Sequence, residues 1–277
     1  MDTAHNISPF TALEDIIADA LEAAAAALPP ITLAEMDGVK LLNRVDTKYV
    51  TSEAVLLQLL ARAKEAGYRA LEAEGVKLTP YNSIYYDTPF LQMFLDHHNK
   101  RLVRQKIRTR VYVNSGDTYL EIKRKNNHGR TKKKRIGIAA GELMDFGANP
   151  AAVAFVEQKS DYTAAEISPS LETEFTRITL VNPERTERLT IDTKLRFDNL
   201  RNGLNSTLHD AVIIELKQDG RATSQMKNIL LDLRIKPLRV SKYCIGITLT
   251  DTQTKRNRFK PKVRAIEKII NRQITTI

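Results

Sequence analysis

Polar and apolar residues alternate along much of this chain, most clearly between Arg101 and Tyr112. Every second residue from 104 to 110 is a cation, and the residues between them are partly apolar. A β-strand directs alternate side chains to opposite faces, so the cations would line one face while the other face packs under helices. Like charges in such a row repel one another unless an anion neutralises them. The row consists of Arg104, Lys106, Arg108 and Arg110.

Similar alternation elsewhere predicts most of the secondary structure. Strands are predicted over residues 39–52, 82–88, 101–113, 118–125, 131–138, 170–181, 186–198, 211–218 and 241–250. Helices are predicted over residues 10–28, 53–66, 90–97, 223–233 and 260–274, with a helical insert between 140 and 160. Turn residues such as Gly116-Asp117 join neighbouring strands by hairpins. This order indicates an α+β fold with an antiparallel sheet and flanking helices, in one domain rather than two.

Several of the other predicted strands also have one charged face and one apolar face. An antiparallel sheet with one solvated side produces the same alternation. Surface charges usually mix both signs, however, whereas the strand over residues 104–110 is purely cationic. The flanking helices are amphipathic and can cover the apolar strand faces, which would turn the charged faces inward. A sheet closed into a barrel of about eight strands encloses a lumen that can hold one small ligand.

Composition limits the kinds of partner. The formal charge is +10, from 43 Lys and Arg against 33 Asp and Glu, which suits nucleic acid, an anionic membrane or phosphate-rich small molecules. Cys244 is the single cysteine, so no intrachain disulfide can form and nothing indicates an oxidising compartment. No stretch of about 18 residues is free of charge, and the N-terminus lacks the pattern of a secretory signal. We therefore expect a soluble, cytoplasmic protein without a membrane span.

A lumen lined by Lys and Arg favours a phosphate-rich ligand. Arg presents a planar fork to two phosphate oxygens, and Lys acts as a flexible point charge. A carboxylate among these cations would suit Mn²⁺ or Mg²⁺, hard ions that take few protein carboxylates together with phosphate oxygens. Glu215, flanked by apolar residues in VIIELKQ, is the candidate metal ligand. The alternative for Glu215 is an ion pair with a neighbouring Lys or Arg.

An ordered set of short motifs resembles the catalytic domain of the VTC (vacuolar transporter chaperone) polyphosphate polymerases, within the CYTH or triphosphate tunnel metalloenzyme superfamily. Each motif is weak alone, but their order is specific, and together they cover roughly residues 40–250. The motifs are RVDTKY (44–49), YNSIYYDTP (81–89), IRTRVY (107–112), YLEIKRK (119–125), TKKKRIG (131–137), ETEFTRI (172–178), ERLTIDTKLRF (187–197), VIIELKQ (212–218) and RVSKYCIG (239–246).

The resemblance implies a closed antiparallel β-tunnel over residues 36–254, with a helical extension at 1–35 and a basic C-terminal helix at 255–277. The implied reaction transfers the γ-phosphoryl group of ATP to inorganic polyphosphate, assisted by Mn²⁺ or Mg²⁺. The chain lacks the E-x-E-x-K signature of the hydrolase and cyclase branches, and RVDTKY in its place favours the VTC branch. Phe175 stands where a polar aromatic residue is expected, which affects substrate placement there.

Site residues are also implied by the resemblance, motif by motif. Those expected to act on the transferred phosphates are Lys48, Arg108, Arg110, Lys123, Lys134, Arg177, Arg188 and Lys242. Those expected to bind the nucleotide or its phosphates are Arg44, Lys133, Lys194, Arg239 and Ser241. Strand face favours Lys134 as the inward lysine of residues 132–134, and the count along the motif favours Lys133. Glu215 would hold the metal.

Three alternative functions remain open at this stage. The basic runs at 123–135 and 255–264 could bind nucleic acid, although the chain has no Trp and only 6% aromatic residues for base stacking. A triphosphatase of the same fold and a non-catalytic polyphosphate-binding protein are the others. Expected partners are ATP and inorganic polyphosphate. A membrane-protein partner is compatible with the sequence, which does not indicate an oligomeric state.

Overall fold

The computed structural model describes residues 9–37, 44–220 and 223–275. The helices are α1 (Pro9–Ala26), α2 (Leu33–Asp37), α3 (Glu53–Glu65), α4 (Gln92–His98), α5 (Pro150–Lys159), α6 (Gln225–Asp232), α7 (Lys242–Thr250) and α8 (Lys260–Ile270). The strands are β1 (Pro30–Ile31), β2 (Arg44–Ser52), β3 (Arg69–Leu71), β4 (Thr79–Asp87), β5 (Arg104–Tyr112), β6 (Thr118–Lys125), β7 (Thr131–Gly137), β8 (Ser168–Val181), β9 (Glu187–Asn199), β10 (Asn205–Thr207) and β11 (Ala211–Asp219).

The predicted α+β class, with an antiparallel sheet and flanking helices, is confirmed. The chain divides into two compact units. Of the described residues, unit 1 comprises those within 1–78, 178–191 and 212–237, and unit 2 comprises those within 79–177, 192–211 and 238–277. Residues 1–8 of the predicted N-terminal extension and residues 39–43 of the first predicted strand lie outside the described residues. No described helix has the length and apolar content needed to cross a bilayer.

Unit 1 packs helices on strands in the order β2-β11-β9-β8. The predicted start of α3 is confirmed, because Ser52 Oγ accepts a hydrogen bond from Val55 N and caps the first turn. Apolar residues of α3 recur three and four positions apart, so one stripe of the helix is buried. The core beneath that stripe includes Leu56, Leu59, Leu60, Leu180, Leu189, Ile191, Val212 and Ile214.

Unit 2 has its strands in the order β8-β4-β5-β6-β7. The alternation predicted for β5 is confirmed, because Ile107 and Thr109 are buried on the face opposite the cationic row. Helix α5 covers that apolar face with Phe155 and Val156. The core between them includes Ile84, Tyr86, Ile107, Leu120, Ile122, Phe146, Ala152, Phe155 and Val156. The charged face of the same strands is therefore the other one.

The strand predicted at 241–250 is wrong, because this segment forms helix α7. Ser241 precedes the helix, and its Oγ accepts a hydrogen bond from Cys244 N. All residues from Tyr243 to Thr250 are buried, so no polar stripe marks a helical period in the sequence. Gly246 allows close packing, since a Cβ there would lie 2.5 Å from a side-chain carbon of Leu171. β-branched residues and full burial together imitate a strand in this segment.

Closure of the sheet into a barrel of about eight strands is not confirmed. Over the described residues, the strand path within each unit has two ends and no pairing that returns from one end to the other. The fold prediction is therefore confirmed for the antiparallel sheet and its flanking helices, but not for the closed barrel.

Candidate functional site

The charged face of unit 2 is built by the register of its strands. Arg110 lies beside Ser83, and Arg108 lies between Tyr85 and Glu121. The next row along the same strands places Lys106, Lys123 and Lys133 side by side. We call this surface the basic face. Its members on β4 to β8 include Tyr81, Ser83, Tyr85, Lys106, Arg108, Arg110, Glu121, Lys123, Lys133, Phe175 and Arg177.

Glu121 holds two cations of the basic face. Arg108 donates from Nε and Nη2 to Glu121 Oε2 at 2.8 and 2.5 Å, and Lys133 Nζ forms an ion pair with Oε1. The Glu121 side chain is fully buried. Burial raises the pKa of this carboxyl, but Arg108, Arg110 and Lys133 together bring its pKa well below the usual range. Glu121 is therefore ionised and fixes the Arg108 guanidinium in place.

Asp192 forms ion pairs with two further cations, as Glu121 does with Arg108 and Lys133. Arg177 donates from Nε and Nη2 to the two carboxylate oxygens of Asp192 at 2.6 and 2.9 Å. Lys242 Nζ forms an ion pair with Asp192 Oδ2. Lys242 is the first residue of α7, so the cap at Ser241 determines where this lysine emerges. Burial raises the pKa of Asp192, and Arg177 and Lys242 lower it well below the usual range.

Arg110 differs from these cations because no carboxylate of the described residues lies within salt-bridge distance of it. Its side chain is buried, with 5% of the residue exposed. Nε donates to Ser83 Oγ at 2.8 Å, a neutral partner. Burial, together with Arg108 and Arg177, lowers the pKa of Arg110 to about 10. A buried cation surrounded by other cations is stabilised when an anion joins them.

The balance of charge on the basic face is strongly positive. Two carboxylates, Glu121 and Asp192, face a larger set of cations. Lys106 is also held toward this set, since its Nζ donates to Ser241 Oγ at 2.8 Å. The cations of the set are Lys106, Arg108, Arg110, Lys123, Lys133, Arg177 and Lys242. Such an arrangement can bind an anion that carries several negative charges.

Tyr85 is a titratable group inside this cluster. Its hydroxyl oxygen accepts a hydrogen bond from Arg108 Nη1 at 3.0 Å, and its ring stacks on Tyr243 at 5.1 Å between centroids. Burial raises the pKa of the phenol, but Arg108, with Lys106 and Arg110, lowers it to about 8. Above that pH the site gains a negative charge at the oxygen that contacts Arg108.

We therefore expect tripolyphosphate affinity to fall as the pH rises through about 8. Deprotonation of Tyr85 adds a phenolate that competes with the ligand for Arg108. In Tyr85→Phe the decline over the same pH range should be smaller, because the phenol that titrates beside Arg108 is gone. Titration calorimetry at several pH values measures this. An equal decline in Tyr85→Phe would assign the pH dependence to another group.

Several residues predicted from the motifs lie together on or beside the basic face. Arg108, Arg110, Lys133 and Arg177 are members, and Lys123 is an exposed member next to Lys133. Lys242 lies beside the basic face through its ion pair with Asp192, and Ser241 does so through its hydrogen bond from Lys106. These positions agree with the predicted grouping, and the roles of the residues stay predictions.

Other predicted residues of unit 2 lie elsewhere. Lys134 is opposite Ile122, on the face that α5 covers, so the choice of Lys134 by strand face is wrong and Lys133 lies on the basic face. Lys194 is exposed, because its backbone adopts φ 52° and interrupts the alternation of β9 after Asp192. Arg239 is exposed in the segment before α7.

The remaining predicted residues belong to unit 1. Lys48 of β2 and Arg188 of β9 are half-buried. Arg44 begins β2, and its side chain is outside those that the structure describes. Glu215 of β11 accepts a hydrogen bond from Lys217 Nζ at 2.8 Å, so the ion pair considered from the sequence is present.

The donors available for a metal ion are few. Over the described residues, no group of three or more His, Cys, Asp or Glu could enclose one. Glu121 and Asp192 are each engaged by two cations. Glu215 is a single, partly exposed carboxylate, which fits Mg²⁺ or Mn²⁺ only where phosphate oxygens complete the coordination.

Sequence reasoning missed several residues of the basic face. Lys106 belongs to the cationic row of residues 104–110, but the motifs assign it no site role. Strand parity alone would have placed it among the site residues. Asp192 pairs with Arg177 and Lys242, which lie far from it along the chain, so no local pattern indicates these partners. Ser83 and Tyr85 gave no charge signal, although both alternate with buried apolar residues on β4.

This geometry is suited to an anion with several negative charges, which would meet a partly buried cationic face. The sequence pattern of the VTC domain family matches residues 43–250, well over half of the chain. The chain therefore belongs to the VTC domain family. A comparison with curated proteins finds no match.

Among solved structures, the chain is similar to a putative adenylate cyclase from Vibrio parahaemolyticus, with 11% identity, a TM-score of 0.43, and coverage of 73% of this chain and 97% of that one. It is also similar to HpAC1 from Hippeastrum, described as a putative adenylyl cyclase with a dominant triphosphatase activity. There the identity is 15%, the TM-score 0.46, and the coverage 73% and 94%.

Proposed function

We propose that this protein is a polyphosphate polymerase that transfers the γ-phosphoryl group of ATP to inorganic polyphosphate. The observation that carries the proposal is Arg110, a buried cation without a carboxylate among the described residues and surrounded by further cations. Phosphate chains supply closely spaced negative charges that suit such a cluster. Membership of the VTC domain family supports the same class of substrate.

The chemistry needs no protein nucleophile. A terminal oxygen of the acceptor chain, already anionic, attacks the γ-phosphorus of ATP, and the bond between that phosphorus and the β–γ bridging oxygen breaks. ADP leaves, and the chain is longer by one phosphate. Positioning and charge stabilisation supply most of the catalysis in such transfers. Arg108, Arg110 and Lys133 would neutralise phosphate oxygens, and Glu121 would keep Arg108 aligned.

Glu215 is the residue we propose as ligand for Mn²⁺ or Mg²⁺. A metal bound there would neutralise donor phosphate oxygens. Lys217 must yield part of its contact with Glu215 for that to occur. The other motif residues, Lys48, Lys123, Arg177, Arg188 and Lys242 among them, belong to the proposal as phosphate contacts. The closed tunnel that the family resemblance implies is also part of the proposal. We propose the cytoplasm as the compartment, because it supplies ATP.

The test is incubation of the protein with ATP and Mn²⁺, followed by a polyphosphate-stained gel and a phosphate assay. We expect a ladder in the wild type, loss of the ladder in Glu215→Gln, and an undiminished ladder in Glu174→Gln, whose carboxylate is exposed on β8. Phosphate without a ladder would make the protein a triphosphatase. Neither product, with tripolyphosphate still bound, would make it a binding protein.

A further inference from the structure

Three cations lie over one phenyl ring in unit 2. Lys242 Nζ is 4.2 Å from the centroid of Phe175. The guanidinium carbons of Arg177 and Arg110 are 5.2 and 5.5 Å from the same centroid. A cation within about 6 Å of a ring centroid is attracted by the ring quadrupole. Phe175 is 3% exposed, so these contacts are formed away from water, where they are strongest.

A second ring enlarges this surface. Tyr81 stacks on Phe175 with 5.3 Å between centroids and 5° between the ring planes. Arg177 and Arg110 lie 4.9 and 5.1 Å from the centroid of Tyr81. Strand pairing places the two rings side by side, since Tyr81 of β4 is the register partner of Phe175 of β8. We call these two rings the aromatic platform.

The aromatic platform can hold these cations together without cancelling their charge, which carboxylates cannot do. Arg110, Arg177 and Lys242 repel one another, and Asp192 bridges Arg177 and Lys242. More carboxylates would hold the cations but would cancel the charge that binds an anion. An aromatic face attracts a cation without carrying a net negative charge, so the cation keeps its full charge for the ligand.

We propose that Tyr81 and Phe175 are positioning residues that hold Arg110, Arg177 and Lys242 in one converging set for an anionic substrate. The proposal rests on the proposed function, because it needs a phosphate chain as the ligand.

Graded fluorination of the ring tests this role. Fluorine withdraws electron density from the face of the ring and weakens its attraction for cations, with little change in shape. We would incorporate mono-, di- and trifluorophenylalanine at position 175 and measure tripolyphosphate affinity by calorimetry. The dissociation constant should rise stepwise, by about 3- to 10-fold at the trifluoro stage. Phe175→Tyr should bind within about twofold of the wild type, because it keeps the ring.

The matched control is the same fluorinated series at Phe155, a buried ring of the α5 core with no cation over it among the described residues. That series should leave affinity unchanged, and melting temperatures should show that all variants are folded. A flat series at position 175 would overturn the positioning role while leaving the polymerase proposal intact. A graded series without a ladder from ATP would retain the platform and reject the polymerase. No binding by the wild type would reject both.

Discussion

Arg110→Met is expected to weaken tripolyphosphate binding by about 100-fold, because the ligand replaces the carboxylate that this cation lacks. A guanidinium donates charge-assisted hydrogen bonds of about 1.5–3 kcal/mol each, and two of them at the lower end of that range correspond to roughly that loss. Methionine keeps an apolar stem of similar length against Tyr81 and Phe175. Titration calorimetry gives the affinity directly.

The same variant should lose no stability, which separates a ligand-binding residue from a structural one. Burial and its cationic neighbours lower the pKa of Arg110 to about 10, and in the free protein this cost offsets the attraction of Tyr81 and Phe175 for its charge. We expect the melting temperature without anions to stay equal or rise. Arg196→Met is the control, because Arg196 is an exposed arginine paired with Asp198. Unchanged affinity in Arg110→Met would exclude Arg110 from the site.

Glu121→Gln is expected to lower the free energy of unfolding by about 3 kcal/mol at low ionic strength, because it leaves two cations without their buried partner. Arg108 and Lys133 would then repel each other and Arg110. Chemical denaturation measures the loss, with the exposed Glu174→Gln as the matched control. Tripolyphosphate should raise the melting temperature more in Glu121→Gln than in the wild type, since the ligand replaces the missing charge.

The acid side of the stability curve follows from the same carboxylates. The folded-state pKa values of Glu121 and Asp192 lie below the ordinary values of 4.5 and 3.8. Their contribution is therefore complete above those ordinary values and is lost progressively as the pH falls below them. The wild type should lose stability steeply below about pH 4.5, and Glu121→Gln less steeply. Equal slopes, or a Glu121→Gln as stable as the wild type, would contradict the role of this carboxylate.

Much of the basic face could be predicted because strand parity is a strong local signal. The row from Arg104 to Arg110 has one periodicity, and β5 keeps it without interruption. Parity fails where the backbone departs from extended geometry. Lys194 adopts φ 52°, so the residues on either side of it no longer follow one alternation. No residue pattern around Lys194 indicates this change in backbone conformation.

Ion pairs between residues far apart in the chain could not be predicted from the sequence, for another reason. Asp192 contacts Arg177 and Lys242, which are brought to it by strand packing and by the start of α7. The segment of α7 itself was predicted as a strand because full burial removes the periodicity that distinguishes the two structures. Lys133 and Lys134 differ only by register, which is fixed by the hairpin between β6 and β7 and not by composition.

The position of Lys133 on β7 predicts a local opening of unit 2 that would leave most of its core in place. β7 ends the strand path of this unit, and its residues are exposed apart from half-buried Ile136. Fraying of such a strand requires little free energy compared with global unfolding. When β7 frays, Glu121 keeps Arg108 and releases Lys133. The amides of β7 should therefore exchange with solvent faster than those of β5, and a bound phosphate chain that holds Lys133 would slow that exchange.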